Sequence, residues 1–121
     1  MVAGFVTIAP GTVDPARIAD HVKGLGRHSA PVLVLARMAT DARFLGQGVG
    51  DRLMRDIVFV RAMDLADGYG CVGVYVDAKP GAVTFYPRYG FVSLPSDAPV
   101  AEPRPMFLPL KTIRLAASRP K

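Results

Sequence analysis

Arg43-Phe44-Leu45-Gly46-Gln47-Gly48-Val49-Gly50 is the stretch on which the fold turns, because the hydrophobic period changes across it. Before it, Pro31 to Ala39 (PVLVLARMA) is apolar on both faces, the pattern of a strand in the middle of a covered sheet. After it, Val49, Leu53, Ile57 and Val60 fall on one side of a helix, and Asp51, Arg52, Arg55 and Asp56 fall on the other. That helix is expected to run to about Asp67 and to end at Gly68. Val72 to Val76 (VGVYV) is a second buried strand, so strand, helix and strand predict a right-handed crossover between two parallel strands. Within the quoted stretch, glycine recurs at every second position just ahead of the helix. Successive backbone N–H groups can then converge on one concavity, where the positive end of the helix adds to the attraction for an anion such as pyrophosphate. Taken alone, the same glycines suit a tight strand-to-helix connection equally well. A Walker loop would need Lys and then Ser or Thr after its last glycine, whereas Asp51 and Arg52 follow Gly50; a dinucleotide fingerprint would need glycine at Asp51.

Outward from this unit, Val2 to Ile8 alternates as a strand and is expected to close in a turn at Pro10-Gly11. Thr12 to Pro31 reads as a loop with a helical turn near Asp14 to Val22, and it carries both histidines, His21 and His28. Downstream, a short helix around Ala82 to Tyr89 stops at Gly90. Phe91 to Leu94 and Met106 to Leu110 read as a closing antiparallel pair, joined by a proline-rich connection from Pro95 to Pro105. The end of the chain, 115–121, reads as a flexible tail.

At 121 residues the chain is expected to form a single domain over 1–121, and at 50% apolar and 21% charged it reads as compact. Fifteen Lys and Arg, eleven of them arginine, against ten Asp and Glu leave a formal charge of +5, which favours polyanionic partners such as RNA or a phosphorylated cofactor. The lone cysteine, Cys71, excludes an internal disulfide, and no Cys/His spacing suggests a metal site. The opening residues have neither the basic start nor the hydrophobic length of a signal peptide or membrane span, so a cytoplasmic location is expected.

Two segments carry a family resemblance. Arg43-x-x-Gly46-x-Gly48, between strand and helix, resembles the Q/R-x-x-G-x-G/A signature of the GNAT superfamily of N-acetyltransferases, and Phe85-Tyr86-Pro87-Arg88-Tyr89-Gly90-Phe91 resembles its F-Y-x-x-x-G-F segment. With Leu35-Ala36-Arg37-Met38-Ala39-Thr40-Asp41 and Asp77-Ala78, the chain is similar to the TacT-like toxins from about Val2 to Leu110. The resemblance implies an α/β (α+β) fold with a mixed, mostly antiparallel sheet around a central parallel pair and crossover helix. It implies transfer of acetyl from acetyl-CoA to the α-amine of aminoacyl-tRNA, with a ribbon-helix-helix antitoxin as partner and a homodimer as assembly.

Carried onto this sequence, Arg43, Phe44, Leu45, Gly46, Gln47, Gly48, Val49 and Gly50 would bind the pyrophosphate of acetyl-CoA, and Met38 and Ala39 would pair with its pantetheine arm. Tyr86 would be the catalytic acid. A tyrosine hydroxyl near the sulfur can give a hydrogen bond or a proton to the departing thiolate; without the flanking pattern, the same tyrosine would read as a half-buried core aromatic. Phe85 and Phe91 read as core aromatics, with Phe85 also set beside the cofactor, and Tyr89 is the second choice as acid. No general base stands out, which suits an aminoacyl ester, whose amine is partly neutral near pH 7. Arg37, Lys79 and Arg88 flank the cleft with Arg43 and could as a group meet phosphates of coenzyme A or tRNA, although for any one of them alone an ordinary solvated charge is the better reading. His21 and His28 read as loop residues, and Cys71 as a small core residue.

The chain departs from the family in two places. A full domain has a strand, two helices and a further strand ahead of the one at Val2 to Ile8; these are expected to lie upstream, to be missing, or to be replaced by a partner chain, and the uncovered sheet predicts association. Pro80-Gly81 stands where relatives are richer in alanine and acids, which puts the first turn of the short helix in doubt. Two other functions fit: acetylation of a small-molecule amine or protein N-terminus, and a non-catalytic module that binds an antitoxin or itself.

Overall fold

The computed structural model describes residues 4–26, 28–40, 47–79, 82–95 and 103–118. Among these residues five strands form one sheet in the order β1-β2-β3-β5-β4: β1 Gly4–Val13, β2 Ala30–Thr40, β3 Gly73–Ala78, β4 Val92–Ser93 and β5 Arg104–Pro109. Of these strands β2 and β3 run parallel; β1 with β2, β3 with β5 and β4 with β5 are antiparallel. The expected mixed sheet with one central parallel pair is therefore present, as is the closing pair, in which Val92 faces Phe107 and Ser93 faces Met106.

Alternation along the central strands divides the core between two faces. Leu33, Leu35, Val74, Val76, Met106 and Leu108 belong to the larger cluster, with Met54, Val58, Ala62 and Ile113 from the helices. Val13, Ile18, Ala30, Val32, Leu94 and Phe107 form the smaller cluster. The short helix α1 (Pro15–Ile18) buries Ile18 there, and its start is capped by Asp14, whose carboxylate accepts from the Ala16 amide at 2.9 Å.

Four expectations are corrected. The first strand does not close at Pro10-Gly11 but runs on to Val13, with Pro10 opposite Leu33 and Gly11 opposite Val32. An edge strand accepts proline, and Gly11 is needed because a Cβ there would lie 2.5 Å from the Val34 Cγ2 methyl. The crossover helix is continuous from Val49 to Tyr69, made of α2 (Val49–Leu53), a π-helical stretch (Met54–Val58) and α3 (Phe59–Tyr69), and its stop is Gly70, not Gly68. The wider π turn shifts the inward face by one residue, so Met54, Val58, Phe59 and Ala62 are buried while Ile57 and Val60 are 38% and 43% exposed. Finally, Leu110 does not extend β5. It starts a helix, α4 (Leu110–Ser118), that takes in residues 115–118 of the expected tail and sets Ile113 in the main core between the partly buried Leu110 and Ala116.

Candidate functional site

Three features meet at the end of the parallel pair. The first is where the strands part. Pairing between β2 and β3 spans Leu33–Val74, Val34–Tyr75 and Leu35–Val76, after which β2 continues to Thr40 beside β1 alone. The β1–β2 register slips between Thr7 and Ile8: Thr7 faces Arg37 and Ile8 faces Leu35, so Ala36 is the extra residue of a bulge. A bulge bends its strand, and this one sits one residue beyond the last β2–β3 pair. From Ala36 onward, the side of β2 turned toward β3 is left without strand pairing, and half-buried Met38 and exposed Ala39 lie on that stretch.

The second feature is the helix mouth. Gly48, the N-cap of α2, has φ 75° and ψ 16°, a left-handed conformation that a residue with a Cβ adopts only under strain. Among the described residues no side chain caps the helix there, and both Gln47 and Gly48 are exposed. Arg52 turns back toward the turn, its Nη2 donating to the Gln47 carbonyl at 3.4 Å. Among the described residues nothing engages the first amides of α2, which with the dipole of a long helix can face an anion. Arg43, Phe44, Leu45 and Gly46, named from the sequence for the same role, lie outside the described residues.

The third feature is the tyrosine. Tyr86 opens a 3₁₀ turn, Tyr86–Tyr89, that follows β3 and ends at Gly90. Its ring is 7% exposed and meets Phe85 and Phe91 edge-on, both at 5.3 Å. Burial raises its pKa above the usual phenol value, so it is a neutral donor at physiological pH. Phe85 is half-buried against the core and lies beside both Tyr86 and Tyr89.

Tyr89 differs from Tyr86 in being committed. Its hydroxyl donates to Asp51 Oδ1 at 2.8 Å, and burial, then that bond, push its pKa up to about 12. The same bond, together with the hydrogen bond and charge of Arg55, holds the Asp51 carboxyl below its ordinary value against the opposing effect of burial. Helical periodicity alone places Asp51 and Arg55 on the outward face; their i,i+4 spacing is the signal in the sequence that they pair. Arg37, Lys79 and Arg88 are all exposed, with the Arg88 guanidinium 6.0 Å from the Phe85 ring centre. His21 and His28 are exposed, and Cys71 is buried, its thiol donating to the Gly73 carbonyl at 3.2 Å. Among the described residues no group of His, Cys, Asp and Glu could hold a metal ion, and no helix is long and apolar enough to cross a membrane.

A splayed strand pair, an uncapped glycine turn and a buried phenol fit a ligand with a diphosphate and an extended amide-bearing arm. Comparisons with known proteins agree. Residues 2–93 match the family model for the acetyltransferase (GNAT) domain. The chain is 33% identical over 97 residues to a tRNA-acetylating toxin of Mycobacterium tuberculosis, covering 79% of this chain and 58% of that one. It is 30% identical over 123 residues to a probable toxin TacT of Sinorhizobium fredii, covering 93% and 65%. Among solved structures, one described as a bacterial toxin superposes with a TM-score of 0.87 at 28% identity, covering 98% of this chain and 66% of the other. The chain thus spans less than two thirds of the length of each of these relatives.

Proposed function

The chain belongs to the GNAT acetyltransferase family, and from that premise we propose that it moves acetyl from acetyl-CoA to the α-amine of aminoacyl-tRNA, blocking translation as a toxin. The observation that carries the proposal is the parting of β2 from β3 after Leu35 and Val76, because it leaves β2 backbone from Ala36 onward unpaired on the β3 side and free to bond an extended amide-bearing arm. Bound acetyl-CoA supplies the activated thioester carbonyl.

The residues divide the remaining work. Amides at Gln47, Gly48, Val49 and Gly50, with their neighbours Arg43 to Gly46, would hold the diphosphate, and the β2 backbone near Met38 and Ala39 would hold the pantetheine arm. This placement brings the two reactants together, which can supply much of the acceleration. Tyr86 keeps its proton at neutral pH and would give a hydrogen bond or the proton to the departing sulfur. Exposed Arg37, Lys79 and Arg88 would meet phosphates of the RNA, in keeping with the net charge of +5.

The choice of acceptor draws on the relatives named as a tRNA-acetylating toxin and a TacT toxin. The proposal extends to a ribbon-helix-helix antitoxin as partner, a homodimer as assembly and the cytoplasm as the place of action. Incubation with labelled acetyl-CoA and either charged or uncharged tRNA tests the acceptor. Label is expected only in the charged pool; a charged pool without label defeats the assignment.

A further inference from the structure

We propose that Tyr89, Asp51 and Arg55 form a latch that fixes the Tyr86 turn against the helix bearing the glycine turn, making Tyr89 and Asp51 positioning residues for acetyl transfer. The proposal rests on the acetyl-transfer reading of the site and adds to it.

Asp51 belongs to the first turn of α2, three residues after Gly48, and so moves with the amides that face the anion seat. Tyr89 closes the 3₁₀ turn that Tyr86 opens. On such a turn, residues three apart lie on the same side, so a constraint on one ring sets the direction of the other. The Tyr89 hydroxyl reaches Asp51 Oδ1 at 2.8 Å across 38 residues of sequence. Arg55 holds the carboxylate from the next helical turn, its Nε lying 3.0 Å from Oδ1 and 3.2 Å from Oδ2, and its guanidinium carbon sits 5.6 Å from the Tyr89 ring centre. The Tyr89 ring also stands edge-on to Phe59 of α3 at 6.1 Å and to Phe85 at 5.3 Å, and Phe85 in turn meets Tyr86. Helix and turn are therefore joined by one polar contact and a run of aromatic edges.

The latch has an electrostatic side as well. A carboxylate one turn inside a helix mouth would repel a diphosphate bound there. Here one of its oxygens receives the Tyr89 hydroxyl and both receive the Arg55 Nε, so its charge is offset within the protein. In the family-like segment Phe85 to Phe91, position 89 is one that the signature leaves open, so the latch is a feature of this chain and not of the motif.

Hydrogen exchange and kinetics on the whole chain test the idea together. Tyr89→Phe and Asp51→Ala should each speed amide exchange across residues 85–90, and the double variant should add nothing to either. Asp51→Asn keeps an oxygen to accept the phenol proton and should retain wild-type exchange. If the wild type turns over, Tyr89→Phe should lower kcat about tenfold with acetyl-CoA affinity changed by less than about twofold, and Asp51→Asn should restore most of the rate seen with Asp51. Additive effects, or exchange unchanged in Tyr89→Phe, would overturn the latch. A wild-type chain that shows the exchange pattern yet binds no acetyl-CoA would sink the acetyltransferase reading and leave the latch standing.

Discussion

At the scale of single residues, the site depends on two tyrosines three positions apart whose environments give them different work. Tyr86 is buried among aromatic edges, and burial alone raises its pKa; Tyr89 has its hydrogen engaged by a carboxylate. A proton held by a carboxylate is a poor one to offer a departing thiolate, so the proposed acid is Tyr86 and not Tyr89. Tyr86→Phe removes only the hydroxyl and leaves the ring packing in place. It should keep acetyl-CoA affinity within about twofold and lower turnover at least about tenfold, as read by calorimetry beside steady-state kinetics. Unchanged turnover would strip Tyr86 of its role. The Phe-Tyr pattern was legible in the sequence and pointed to Tyr86. The commitment of Tyr89 was not, since its partner stands 38 residues away and only folding brings them together.

At the scale of elements, the central strands and the crossover helix were readable because each is long and strongly periodic. The inward face of that helix was not, because the π-helical stretch Met54–Val58 breaks the 3.6-residue period on which the assignment depends. Helix α4 was missed for another reason: a short apolar spacing of Leu110, Ile113 and Ala116 following a strand looks like the strand's own end. Ile113 is fully buried and belongs to the main core, so α4 is an integral part of the packing. Ile113→Ala should destabilise the protein by about 2–5 kcal/mol in denaturant titration, whereas Lys111→Ala, exposed on the same helix, should stay within about 0.5 kcal/mol. Equal effects at the two positions would mean that α4 does not pack as described.

At the scale of the whole molecule, Tyr75, Tyr86 and Tyr89 all titrate above the ordinary phenol value in the fold, with burial the largest cause in each case. The unfolded chain releases these protons near pH 10, before the folded chain does, so their contribution to stability is intact below pH 10 and is lost as the pH climbs toward the folded values, about 12 for Tyr89. Melting temperature should therefore fall across that alkaline range, and the fall should be shallower in Tyr89→Phe; an identical slope would show that Tyr89 ionises as freely in the fold as outside it. What the amino-acid sequence determined by itself was the strand-helix-strand core and the glycine turn at the helix mouth, and it singled out Tyr86 as the candidate acid, because these rest on periodicity and on residue types close together in the chain. Only the tertiary structure decided where β2 leaves β3, which helix face is buried, and that Asp51 meets Tyr89. Those outcomes depend on the Ala36 bulge, on one π turn and on packing between distant segments, and none of these leaves a regular spacing along the chain.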